Sequence, residues 1–134
     1  MDGWMAVVVS VIIQQAGGTP YISGGDSPRG TDCSGVASWV ANAATGRPVF
    51  GNRFSTRNEA QALRERGFVD GTAPGELNIG WNSYHTAVTL PDGTNVESGS
   101  GDGHGVEVNG RGGAFQAQFN HHMYLPGSGA NAGT

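Results

Sequence analysis

The chain has 134 residues, a formal charge of −4, one cysteine and 24 glycines. That length holds one domain whose core needs neither disulfides nor a metal to staple it, and a single cysteine forbids an internal disulfide. An acidic balance with no cluster of Lys or Arg excludes a nucleic-acid footprint and adsorption to anionic surfaces.

The first apolar run, AVVVSVII at residues 6–13, is too short to cross a bilayer, and Asp2 stands where a secretory signal carries a basic start. It predicts a buried helix over residues 4–15, closed by Gly17, Gly18 and Pro20, with a Val/Ile-rich strand as the competing reading. A second helix begins at Asp32 or Cys33. Val36, Trp39, Val40 and Ala43 recur at helical spacing, Asp32 suits an N-cap, and Gly46 and Pro48 end the element. The segment TRNE at residues 56–59 has capping-box spacing, so a short third helix follows, with Arg64 and Arg66 in its last turn and Gly67 as its stop.

The second half changes period. Residues 85–90, 94–98, 105–109 and 114–125 alternate or carry β-formers, with turn residues between them, and predict an antiparallel sheet. In the last of these Phe115, Ala117, Phe119, His121, Met123 and Leu125 share one face, assigned to the core. Helices first and strands after make an α+β domain over residues 1–126, followed by a flexible Gly/Ala-rich tail at 127–134. A core helix at the start and a loose tail at the end fit a piece of a larger protein.

Cys33 lies where a Gly- and Pro-rich loop, TPYISGGDSPRGTD, becomes a helix. There the exposed N–H groups of the first turn favour thiolate, the nucleophilic form. A thiolate needs a base, and of the four histidines His85 is best placed, at the start of a strand. If Pro91, Asp92 and Gly93 form the loop of a hairpin, Leu90 pairs with Thr94 and Ala87 with Glu97. His85 and Glu97 are then diagonal neighbours on one face, roughly 7–8 Å apart at the backbone. Val88, Leu90 and Val96 fall on the other face. His104, in the loop GSGDGHG, is a reserve candidate for the third group. His121 and His122 point to opposite faces and do not chelate together, so no metal site is expected. Valines rather than a helix follow the Gly-rich loop, which is no phosphate cradle.

The blocks TPYISGG…TDCSGVASWV and YHTAVTLPDGTNVES resemble the signature of the NlpC/p60 cell-wall cysteine peptidases over nearly the whole chain. The resemblance implies a papain-like fold, with the nucleophile helix packed on an antiparallel sheet. It implies Cys33 as nucleophile, His85 as base and Glu97 at a third position that is commonly His in relatives. It further implies that Tyr21, Asp32 and Ser34 help bind the free amino end of a peptidoglycan stem peptide. The expected activity is an endopeptidase acting at the D-γ-glutamyl to meso-diaminopimelate bond, facing the cell wall, with no cofactor and no membrane or nucleic-acid partner. A CHAP-type amidase or acyltransferase, or a non-catalytic wall-binding module, are the alternatives. Ile22 and Ser23 depart from the aromatic residue that relatives often carry. The second half, down to FNHHMYLP, is also similar to peptidase segments within tail or tape-measure proteins of phages infecting actinobacteria. That similarity implies a tether to a virion tail in place of wall affinity.

Overall fold

The computed structural model describes residues 3–99 and 105–129. Its elements in chain order are α1 (Gly3–Ala16), β1 (Asp26–Ser27), β2 (Gly30–Thr31), α2 (Cys33–Ala44), α3 (Glu59–Glu65), β3 (Val69–Asp70), β4 (Leu77–Trp81), β5 (Thr86–Thr89), β6 (Asn95–Ser98), β7 (Val106–Val108) and β8 (His121–Leu125). Strands β3–β8 form one antiparallel sheet in the order β3-β8-β4-β5-β6-β7, while β1 and β2 make a separate small hairpin.

The burial of α1 settles the choice between helix and strand. Val9 and Ile13 are fully buried, whereas Val7 and Val11 are 63% and 50% exposed. A strand would have buried all four alternate residues; a spacing of four is helical. The helix stops where Gly17 N–H bonds Ile13 C=O and Gly18 turns to φ +85°.

Helix α2 is the centre of the molecule. Every residue from Ser34 to Ala44 is buried, and the helix packs against β5 and β6, joining Val36 and Val40 to Val88 and Val96 in one apolar cluster with Ile79 and Met123. Each fully buried aliphatic side chain is worth about 1.5–3 kcal/mol. The exposed Arg64–Asp70 ion pair contributes ~1 kcal/mol at most. The apolar seam fixes α2 against the sheet.

Three expectations are corrected. The capping box does not form: α3 starts at Glu59 behind Asn58, which makes no side-chain cap, and Thr56 Oγ1 donates to Ser83 C=O instead. Glu59 turns inward and is fully buried. The long last strand is only β8; residues 114–120 double back through turns closed by Gln116 N–H to Gly113 C=O and Phe119 N–H to Gln116 C=O. Ala114, Phe119, Met123 and Leu125 are buried, but Phe115 and His121 are exposed. The central strand β4, flanked by β5 and β8, was not expected at all. Beyond β8, Ser128 is fully buried, its Oγ accepting from Leu77 N–H and donating to Glu76 Oε2.

Candidate active site

The site is assembled at the first turn of α2. The loop before it is drawn in by β1, β2 and the bonds of Thr31 N–H to Pro20 C=O and Ile22 N–H to Thr31 C=O. Asp32 caps the helix, its Oδ1 accepting from Gly35 N–H at 2.9 Å. Gly35 is required there, because a Cβ would collide with Thr31 Oγ1 and Gly25 C=O, the backbone of the loop itself. Cys33 is thereby held as the first helical residue, half-buried.

His85 approaches from the sheet, just before β5. Asn82 Oδ1 accepts from both Tyr84 N–H and His85 N–H, and Asn82 N–H donates to His85 C=O. The hairpin has the expected register: Val88 lies opposite Val96, Thr89 opposite Asn95, and Leu90 N–H bonds Thr94 C=O. That register carries Glu97 to His85, with 2.7 Å between Nε2 and Oε2. The Cys33 side chain also acts on the imidazole, close enough to favour its protonated form. Burial pulls the imidazolium down, but the bonds to Cys33 and Glu97 and the negative charge of both more than offset it, and His85 is pushed up to about 9.

Two neighbours shape this pair. Phe119 stacks on the imidazole at a centroid distance of 6.0 Å and 25° between planes. Gly112 lies so close to the Glu97 carboxylate that any Cβ would occupy the same space.

Asp32 and Ser34 flank Cys33 and are joined by a residue that sequence reasoning missed, and Tyr21 is near enough to feel the charges of Cys33, Asp32 and Arg53. Arg53 pairs with Asp32 Oδ1 at 2.9 Å and donates to Ser34 Oγ at 2.8 Å and to Gly25 C=O at 2.9 Å. Burial raises the Asp32 carboxyl, but the N–H groups of Gly24 and Gly35 and the Arg53 guanidinium outweigh it and hold Asp32 below the usual carboxylate range. Tyr21 is pushed up by burial and then by the negative charges of Cys33 and Asp32, against the pull of Arg53. A lone Arg in the loop segment GNRFS gives no signal in the sequence; only the fold returns it to the start of α2.

His104 lies outside the described residues. His121 stacks on Trp81 at 5.3 Å, away from any metal-ligating partner set; among the described residues no three His, Cys, Asp or Glu side chains cluster to hold a metal. No described helix is long and apolar enough to cross a membrane.

No family model matches the chain. Protein P54 of Enterococcus faecium is 33% identical over 85 residues, a stretch covering 60% of this chain and 16% of that protein. The crystal structure of the NlpC/p60 domain of the peptidoglycan hydrolase SagA is similar with a TM-score of 0.55 and 24% identity, covering 90% of this chain and 97% of that one. The phage-tail similarity read from the sequence has no counterpart in either comparison. Three helices, a six-stranded antiparallel sheet and this near end-to-end match give the chain the α+β, papain-like fold of an NlpC/p60 domain.

Proposed function

We propose that the chain is a peptidoglycan hydrolase, a cysteine endopeptidase that cleaves stem peptides at the D-γ-glutamyl to meso-diaminopimelate bond with Cys33, His85 and Glu97. The observation that carries this reading is the meeting of a helix-start thiol, an imidazole and a buried carboxylate from α2, β5 and β6. Cys33 thiolate attacks the scissile carbonyl, and the oxyanion is met by the Cys33 N–H, which has no intrahelical partner in the first turn. His85 gives its proton to the leaving amine, and Glu97 holds the ring and stabilises the imidazolium. Water, deprotonated by His85, then hydrolyses the thioester and restores the thiol.

The cluster of Tyr21, Asp32 and Ser34 supports a subsite for the free amino end of the peptide, with Asp32 as the counter-charge and Arg53 fixing its orientation. In this reading the site faces the cell wall and takes no cofactor.

Digestion of purified peptidoglycan by the wild type and by Cys33→Ala, followed by mass spectrometry of the muropeptides, tests the proposal. The expected product carries a new amine on the diamino acid, and Cys33→Ala yields none. Release of intact peptide from glycan would replace this reading with an amidase. A Cys33 that reacts with a thiol probe no faster than free cysteine would replace it with a non-catalytic module.

A further inference from the structure

Glu59 is a buried acid that the reaction as derived does not use. It opens α3 and is fully buried, a place where an apolar residue would ordinarily sit. Its Oε1 accepts from Thr86 Oγ1 at 2.7 Å, and its Oε2 has no hydrogen-bond partner among the described residues. Thr86 is itself fully buried and follows His85 in the chain. Asn82 fixes the backbone of His85, and Glu59 grips the next residue by its side chain.

We propose that Glu59 is a positioning residue for His85, its carboxyl holding Thr86 from the core and adding, beside Glu97, a second acidic group to the surroundings of the imidazole. The inference rests on the role given to His85 above.

The electrostatics agree with this geometry. Burial pushes Glu59 up to about 8, against the pull of the Thr86 hydroxyl and of the His85 charge. The other charged groups near α3 are turned elsewhere: Arg64 pairs with Asp70 in solvent, Glu65 is exposed, and Arg66 bonds Asn42, Ala62 C=O and Asn52 C=O. From β5 the charge that reaches Glu59 is that of His85; from β6 Glu97 lies against the imidazole, and from α2 Cys33 does. Near neutral pH Glu59 holds its proton and serves as a neutral acceptor for Thr86. As it ionises it adds a negative charge next to His85, which keeps the imidazolium protonated to higher pH.

The test follows the imidazole itself, so it does not depend on any peptidoglycan substrate. Titration of the His85 ring by NMR in 15N-histidine-labelled protein compares the wild type with Glu59→Gln, which keeps size and acceptor but cannot ionise. We expect the His85 midpoint to fall by about half a unit or more; a smaller change overturns the proposal. Thr86→Val and Thr86→Ser provide the second arm, through the rate of Cys33 alkylation at pH 7. Val, lacking the donor, should slow alkylation about fivefold or more while Ser restores it. Equal rates in Val, Ser and the wild type overturn the positioning role even if Glu59→Gln fails to fold. Failure of the wild type to cleave the stem peptide, with the Glu59→Gln shift of His85 and the Thr86→Val slowing of alkylation both seen, would count against the proposed substrate and leave Glu59 in place.

Discussion

Replacing Glu97 by Gln keeps a side chain of the same size against His85 and removes only its negative charge. His85 is lifted from 6.5 to about 9 by Cys33 and Glu97 acting against burial. At ~1.4 kcal/mol per unit, the two partners together favour the imidazolium by ~3 kcal/mol net. Each supplies a hydrogen bond and a charge, so loss of one charge costs ~1 kcal/mol, a five- to tenfold drop in rate. Glu97→Ala also leaves Nε2 unpartnered on a side chain only 15% exposed, raising the cost to ~2–3 kcal/mol and the loss to roughly 30- to 150-fold. The assay is kcat/KM for a defined stem peptide across pH, where the alkaline limb reports loss of the His85 proton. In Glu97→Gln that limb should move down from about 9 by about one unit, because removing a negative neighbour lowers the imidazolium pKa. Unchanged rate and alkaline limb in Glu97→Ala, with activity abolished by His104→Ala, would refute the reasoning and transfer the third position to the loop histidine.

Two other outcomes are expected. The folded chain keeps a Glu59 proton that the unfolded chain releases above 4.5, so stability falls as pH rises from 4.5 to about 8. By pH 7 the accumulated loss is ~3 kcal/mol, and Glu59→Gln should recover most of it; urea unfolding curves that run parallel for both proteins across this range would refute the assignment. Asp32→Asn retains the helix cap, worth ~1 kcal/mol, but removes the charge that faces Arg53 and, in the proposed reading, the amino end of the peptide. It should lower cleavage of free-amine peptides more than of N-acetylated ones, and an unchanged preference between them would remove Asp32 from recognition.

The parts of the site that were legible in the sequence are those set by local chemistry. Asp32 before Cys33 is a helix start, and the loop of Pro91, Asp92 and Gly93 fixes a register that places His85 and Glu97 on one face. What escaped depended on partners distant in the chain. Strand β4 contains Asn78 and Gly80, which read as breakers. Asn78 spends its amide on Ala73 and Glu76, and Gly80 is bare because Ala114 and Phe119 press on it from the returning segment. Glu59 resembled a capping acid because α3 follows it, yet Thr86 draws it inward. Arg53 acquires meaning only when its loop meets the start of α2.

The hairpin of β5 and β6 holds both His85 and Glu97, whereas Cys33 belongs to a helix from the opposite half of the chain. In the proposed mechanism the activation of the thiol by His85 is therefore a property of the docked tertiary structure and of neither half alone. A nascent or partly unfolded chain presents an ordinary cysteine, spared the premature side reactions that an activated sulfur invites. On that mechanism the rate at which Cys33 is labelled serves as a gauge of native population, readable at one atom without substrate.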